Sequence, residues 1–337
     1  MKRLILVFLT LCVVHCFSFL RAQNDNLGIR KIVIDPGHGG KDPGTLGSGR
    51  YKTTEKDVVL DVSLLLGDYL KSAFPNLQII YTRNNDRFVK LSERTRIANE
   101  AQADLFLSIH ADAFKDKRVY GATTYVMGLH KTASNLNVAI RENSSILMEN
   151  NYQSNYEGFD PEEPESYIAL SMYQSNHLSN SVLLASKIQH QFKTRVNRKD
   201  RGVKQAGFLV LSRATMPSVL IELGFLTNHS EEDFLISKQG KIYMASAIFR
   251  AVKEYKIEME SLILESQTKN NNMHQLFFSL QFLSSNTKIS IDDLHINDKQ
   301  MVFEFKDGDL YKYTYGKVKT LDEVSILKKQ IKSYGYS

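Results

Sequence analysis

Two hydrophobic patterns alternate over residues 28–258. Short continuous apolar runs, typical of strands buried on both faces, lie at 31–35, 77–81, 105–109, 120–127 and 218–222. Stretches with helical spacing lie at 54–74, 92–101 and 242–255, and Ser92 is the expected N-cap of the second. Because strands and helices alternate, the pattern predicts an α/β domain with a mixed, mainly parallel sheet flanked by helices.

A helical insert at about residues 131–196 interrupts this alternation. Helical patterns at 131–150 and 166–196 flank an acidic, proline-containing stretch at 157–165, and the second pattern is expected to break near Asn176. The insert lies between two strands that both end in candidate site residues, so it is expected to lie close to the site.

The C-terminal part of the chain follows a different pattern. Residues 259–275 are polar and are expected to form a linker, and a small α+β module is predicted at 276–337. Its clearest feature is a hairpin around the turn KDGD at 306–309. No closing strand follows the last predicted helix at 322–333, so the module is expected to be incomplete.

The N-terminal segment, residues 1–22, has the pattern of a secretory signal peptide. Lys2 and Arg3 precede a short apolar run at 4–14, and Ala22 offers a small residue for cleavage. An N-terminal membrane anchor is the alternative interpretation, although the run is short for a span, which needs about 20 residues. A periplasmic or secreted protein is therefore expected.

Composition narrows the possible chemistry. Both cysteines, Cys12 and Cys16, lie in the signal segment, so the mature chain is expected to have no disulfide and no cysteine nucleophile. The formal net charge of +6 includes Lys2, Arg3 and Arg21, and no basic run favours nucleic acid as a partner. No other segment is long and apolar enough for a stable membrane span. The protein is also expected to be a monomer.

Four residues with metal-binding or acid–base chemistry lie at the predicted carboxyl edge of the sheet. His38 follows the first strand in a glycine-rich loop, His110 and Glu222 end two further strands, and Glu55 opens a helix. In open α/β sheets, binding sites form at this edge. Two imidazoles and a carboxylate suit zinc with a fourth position for water, and zinc lowers the pKa of that water to about 7. The other carboxylate could serve as a general base.

Each of these signals has another interpretation when it is taken singly. The glycine-rich loop could cradle a phosphate, although neither the dinucleotide-binding spacing nor a Gly-Lys-Ser/Thr is present. Glu55 could be a charge favoured by the helix dipole, and His110 a buried histidine that is hydrogen-bonded. A carboxylate at Glu222, after an apolar strand, is costly unless it is paired or binds a metal.

Three segments together give the chain a family resemblance. They are IDPGHGGKDPG at 34–44, SERTRIANEAQADLFLSIHADA at 92–113 and MPSVLIELGFLTN at 216–228. Over about residues 30–255 the chain resembles the zinc-dependent N-acetylmuramoyl-L-alanine amidases of the Amidase_3 family. The resemblance implies hydrolysis of the amide bond between N-acetylmuramic acid and L-alanine in peptidoglycan, for cell-wall remodelling or daughter-cell separation.

The resemblance also implies a role for each site residue. His38, Glu55 and His110 would bind Zn²⁺, and Glu222 would be the catalytic carboxylate. Among their neighbours, Asp42 and Asp112 are expected either to shape the site or to lie in turns. Packing or helix–loop hydrogen bonds are the simpler interpretation for three residues that match family positions, Arg83, Arg94 and Asn99.

The insert could regulate such a site. Some cell-division amidases of this family have a helix that covers the zinc until an activator protein removes it. In this chain Glu142, Glu149 or the stretch 157–165 could supply the blocking ligand. An insert that shapes a substrate groove is the alternative.

The module at 276–337 resembles a SPOR-like domain, a ferredoxin-like fold associated with binding glycan strands, here without its last strand. Tyr311, Tyr313 and Tyr315 alternate and therefore share one strand face, which could either stack on sugars or pack into a core. Two alternatives to an amidase stay open: a non-catalytic cell-wall glycan-binding protein, and a zinc peptidase that acts within the stem peptide.

Overall fold

A computed structural model describes residues 28–171, 177–273 and 277–336, and the chain divides after Ser261 into two compact units. The predicted signal peptide and the predicted helix break near Asn176 lie outside the described residues. No helix in the described ranges is long and apolar enough to cross a membrane.

The first unit contains six strands in one sheet. They are β1 Lys31–Pro36, β2 Gln78–Tyr81, β3 Leu105–Asp112, β4 Ala122–Met127, β5 Asp200–Ala206 and β6 Ser218–Phe225. The α-helices that begin before Leu262 are α1 Glu55–Ala73, α2 Leu91–Glu100, α3 Ala133–Asn143, α4 Tyr152–Asn155, α5 Pro164–Ser171, α6 Leu178–Val196, α7 Leu209–Ser212, α8 His229–Ile236 and α9 Lys238–Met273, in the described residues.

The strand order in this sheet is β2-β1-β3-β6-β4-β5. The pairs β1–β2, β1–β3, β3–β6 and β4–β5 are parallel, and only the β6–β4 pair is antiparallel. The predicted mixed, mainly parallel sheet is therefore confirmed. β5 was not predicted, because this edge strand has the polar sequence DRGVKQA and lacks an apolar run.

The sheet separates two hydrophobic cores. One face packs against α1, α6 and α9, and the other against α2, α7 and the earlier part of the insert, including α3 and α5. Every residue of β3 and of β6 is buried, which explains why both strands have nearly continuous apolar sequences. The side chains with acid–base or metal-binding chemistry on these two central strands, His110, Asp112 and Glu222, lie towards their carboxyl ends.

Three helices differ from the sequence prediction. α2 has Lys90 as its N-cap, so Ser92 lies inside the helix and is not the cap. α9 continues to Met273, so most of the expected linker is helical, in keeping with its Glu, Lys, Leu and Met content. The helix predicted at 131–150 ends at Asn143 and is followed by a 3₁₀ helix, Ser144–Met148.

The second unit has a three-stranded antiparallel sheet in the order β7-β9-β8. Its elements are β7 Phe278–Ser285, β8 Val302–Asp307, β9 Leu310–Val318 and α10 Leu321–Ser333, with 3₁₀ turns at Ile291–Asp293 and Lys299–Met301. Tyr313 and Tyr315 are fully buried in its core, and the Tyr313 hydroxyl donates to the carbonyl of Ile289. The alternating tyrosines therefore pack internally.

Candidate metal centre

Two buried arginines hold the loop that follows β1. Arg94, on α2, donates to the carbonyls of Pro36 and His38 and forms an ion pair of 2.9 Å with Asp35. Arg83 donates to the carbonyls of Pro36 and Gly37. Each guanidinium is a rigid planar set of donors and gives two hydrogen bonds to these carbonyls, which fixes the loop backbone. Of the two interpretations for these arginines, packing or helix–loop hydrogen bonds, the structure shows hydrogen bonds to loop carbonyls.

The loop brings the His38 ring against the His110 ring. His38 has a left-handed backbone conformation, with φ of 59°, and the two ring centroids are 4.8 Å apart. A Cβ atom at Gly37 would lie 2.4 Å from the His110 ring, so only glycine fits there. Asp42 accepts from Nδ1 of His38 at 2.9 Å, which leaves Nε2 facing inwards.

Glu55 joins the two histidines from the start of α1. Its Oε1 atom lies 3.1 Å from Nε2 of His38 and 3.2 Å from Nδ1 of His110. Backbone N–H groups of Ala111 and Thr45 donate to its two oxygens, each at 2.8 Å. A capping box between Thr54 and the third helical residue fixes the start of this helix.

Glu142 of the insert completes this cluster. It lies in the last turn of α3, and its Oε2 atom is 2.8 Å from Nδ1 of His110 and 3.2 Å from Nε2 of His38. One ligand atom from each of the four residues lies within 4.8 Å of the others. Of the three acidic candidates in the insert, Glu142 alone does this, since Glu149 accepts from Leu91 and Tyr156, and Glu157 pairs with Arg213.

Glu222 lies beside the cluster and not in it. It pairs in register with His110 across β3 and β6, so its side chain is on the same face of the sheet. Both of its carboxylate oxygens are buried without a hydrogen-bond partner among the described residues. Arg141, the residue before Glu142, lies 3.7 Å from Glu222 and 2.7 Å from Asp112. Sequence reasoning missed Arg141.

Burial and neighbouring charges shift the titration of this cluster. Burial acts to lower the pKa of His38, but Glu55 and Asp42 outweigh it and hold the pKa well above its usual value. Burial raises the pKa of Glu222 well above its usual value, and Asp112 and Glu142 act in the same direction. Burial also raises the pKa of Asp112 to about 6, against the effect of Arg141. Five carboxylates and two imidazoles thus share this buried region with Arg141, and a bound cation would compensate more of the negative charge.

The donor set fits a bound zinc ion. Two imidazole nitrogens and two carboxylate oxygens converge, and Nε2 of His38 and Oε2 of Glu142 are buried without a hydrogen-bond partner. Zinc sites in proteins are usually four-coordinate, and histidine nitrogens and carboxylate oxygens are among their typical ligands. The fold and this cluster define the class: an α/β protein with a buried metal-type site at the carboxyl edge of its sheet.

Comparisons with known proteins identify the family within that class. The family model for N-acetylmuramoyl-L-alanine amidase matches residues 32–254. This chain belongs to that family, so the family expected from the sequence is confirmed. It is 33% identical over 228 residues to the amidase AmiC of Escherichia coli O6:H1, a match that covers 66% of this chain and 52% of AmiC.

Two further relatives agree. The amidase AmiA of Escherichia coli K12 is 32% identical over 228 residues, which is 68% of this chain and 76% of AmiA. The crystal structure of the N-acetylmuramoyl-L-alanine amidase from Clostridium difficile 630 is similar with a TM-score of 0.50 and 28% identity, over 68% of this chain and 97% of that one. The chain thus spans about half the length of the AmiC relative.

The structure brings together the four residues that the sequence singled out. His38, Glu55 and His110 share one cluster, and Glu222 is adjacent to it. Their roles as zinc ligands and catalytic carboxylate stay predictions. Asn99, matched to a family position, donates to the carbonyl of Arg213 and has no part in the cluster.

Replacing Arg94 by methionine should destabilise the first unit. Asp35 would remain buried without its cation, and we expect the free energy of unfolding to fall by about 3–5 kcal/mol. Urea denaturation followed by circular dichroism measures it. The matched control is Arg96→Met on the same helix, where the side chain is 57% exposed and the expected change is within about 0.5 kcal/mol. Equal losses in the two variants would refute a special role for Arg94.

Proposed function

We propose that this chain is a zinc-dependent hydrolase of the amide bond between N-acetylmuramic acid and L-alanine in peptidoglycan. The observation that carries the proposal is the convergence of His38, Glu55 and His110 in one buried cluster with Glu222 adjacent. Family membership supports the substrate class. Cell-wall remodelling or daughter-cell separation is the role we propose, outside the cytoplasm after removal of the signal peptide.

In this proposal His38, Glu55 and His110 hold the zinc, which acts as a Lewis acid and acidifies water when it is bound. Glu222 takes a proton from the attacking water and returns it to the leaving L-alanine amine. Asp42 keeps Nε2 of His38 available, and the Ala111 and Thr45 amides keep the Glu55 carboxylate in place.

Digestion of purified muropeptides, followed by mass spectrometry, tests the reaction. We expect free stem peptides with an L-alanine amino terminus, and Glu222→Gln should lower the rate by about 10²–10⁴-fold because it removes the general base. The zinc content of the purified variant, measured by elemental mass spectrometry, should stay unchanged, because Glu222 is outside the ligand cluster.

The other outcomes identify the alternatives. Intact muropeptides with bound protein would indicate a non-catalytic glycan-binding protein. Cleavage between two amino acids of the stem would indicate a zinc peptidase. Full activity of Glu222→Gln would refute the proposed mechanism.

We also propose that the insert inhibits the resting enzyme. Glu142 fills the fourth position of the cluster, where water or the substrate carbonyl has to bind. Arg141 pairs with Asp112 and approaches Glu222, so the catalytic carboxylate is covered as well. An activator protein that draws α3 away would then open the site, and we propose that the chain acts as a monomer with such a partner.

Removing the Glu142 charge should activate the enzyme. We expect Glu142→Gln to increase release of dye-labelled fragments from sacculi at least about tenfold, since each ~1.4 kcal/mol lost by the closed state opens it tenfold. The matched control is Glu157→Gln, which removes an exposed charge of the same insert, and its activity should equal that of the parent. Unchanged or lower activity of a folded Glu142→Gln protein would exclude inhibition by this residue.

For the second unit we propose SPOR-like binding to cell-wall glycan. The tyrosines of β9 are in the core, but β8 places Phe303 and Phe305 on the opposite face of the sheet, away from α10, since Val302 pairs with Tyr315 in register. Phe305 is 47% exposed and can offer its ring face to a sugar.

Binding of the full chain to denuded sacculi tests this face. Phe305→Ala should weaken retention about two- to tenfold, because an aromatic contact contributes about 0.5–1.5 kcal/mol. Ile326→Ala, at an apolar position on α10 that is 58% exposed, is the control and should bind like the parent. Equal retention of all three proteins would contradict glycan binding by this face.

A further inference from the structure

Two basic residues of β5, Arg201 and Lys204, lie on the same side of the sheet as the proposed catalytic carboxylate. Glu222 on β6 pairs with Thr123 on β4, and Tyr125, two residues further along, pairs with Lys204. Because side chains alternate along a strand, and paired residues share a face, Glu222 and Lys204 point to the same face. β5 is the edge strand of the sheet, so nothing in the sheet lies beyond this pair.

Arg201 approaches the end of β6. Its guanidinium lies over the ring of Phe225, 5.0 Å from the ring centroid, and Phe225 pairs in register with Asp112. One terminal nitrogen donates to the carbonyl of Tyr120 at 3.2 Å, whereas Nε is buried without a hydrogen-bond partner. Arg201 is thus positioned by its neighbours but keeps hydrogen-bonding capacity.

Lys204 is half-buried beside Arg201. Burial lowers the pKa of Lys204, and the Arg201 charge lowers it further, while Asp112 acts in the opposite direction. Within the described ranges, no carboxylate lies within ion-pair distance of either side chain. Two adjacent cations that are partly removed from water repel each other, and an anion between them relieves that repulsion.

Two other cations near the site are paired with carboxylates. Arg94 has Asp35, and Arg141 has Asp112. The insert brings a carboxylate to the histidines, and it contacts β5 through α3, yet it brings none to Arg201 or Lys204. Arg201 and Lys204 therefore lack a carboxylate partner in this structure, in which Glu142 contacts the histidines.

We propose that Arg201 and Lys204 form a subsite for a free carboxylate of the peptide part of the substrate, on the amine side of the bond that is cut. This inference rests on the proposed amidase function. A planar guanidinium binds a carboxylate through two parallel N–H groups, and the ammonium adds a point charge. A stem that continues from L-alanine into glutamate has such a carboxylate one residue beyond the cleaved amide.

The experiment compares two muropeptides that differ only at this group, with glutamate or its amide, isoglutamine, after L-alanine. The enzyme is the full chain with Glu142→Gln, so that the insert does not limit access. We expect kcat/KM to favour the carboxylate at least about tenfold, mainly through KM, because the contact is remote from the reacting atoms. Joint replacement of Arg201 and Lys204 by glutamine should bring the ratio close to one.

Two variants separate a binding role from a structural one. Lys204→Arg keeps the charge and should retain most of the preference. Lys199→Gln removes a neighbouring exposed lysine, whose ammonium lies over the Tyr120 ring, and should leave the ratio as in the parent. Loss of the preference in Lys199→Gln would show a general charge effect and overturn the subsite.

The outcomes distinguish this inference from the function on which it rests. If the Glu142→Gln enzyme cleaves both muropeptides with equal kcat/KM, the subsite is wrong while the amidase function stands. If the Glu142→Gln enzyme cleaves neither and also fails on sacculi, the proposed function is wrong and the subsite falls with it. The reaction also creates a carboxylate on the lactyl group. Because both muropeptides give this product, it does not change the ratio of their kcat/KM values.

Discussion

The buried ion pair between Arg94 and Asp35 is the interaction on which the rest of the site depends. It fixes the end of β1, and the same guanidinium donates to the carbonyl of His38. A left-handed histidine backbone is unfavourable by itself, so the surrounding structure must hold it. Arg83 supplies a second rigid set of donors to the same loop. The position of His38 beside His110 therefore depends on the buried charges of Arg94 and Asp35.

The same requirement, that buried charge be compensated, governs the closed form. Glu142 places an anion among the histidines, and Arg141 places a cation between Asp112 and Glu222. Each charge brought by the insert meets one of opposite sign on the sheet, which lowers the cost of burying both. By the same criterion, Arg201 and Lys204 stand out, since no carboxylate in the described chain lies within ion-pair distance of either.

The sequence predicted most of the sheet because β1, β3 and β6 are buried on both faces and have apolar runs. β5 escaped prediction because an edge strand needs no such run. Glu142 and Glu149 were equivalent candidates, since seven residues on a continuous helix return to the same face. The helix instead ends at Asn143, and Glu149 turns away to cap other groups. That ending depends on tertiary packing, which no local pattern encodes.

The adjacency of Arg141 and Glu142 in the last turn of α3 has a kinetic and thermodynamic consequence. One contact reaches the ligand cluster and the other approaches Glu222, yet both belong to one helical turn. They cannot be released independently, so the two contacts form a single cooperative unit. Under the proposed inhibition, opening would therefore be an all-or-none event, and a partner that binds the open form would change the populations of two states, with no half-active species between them.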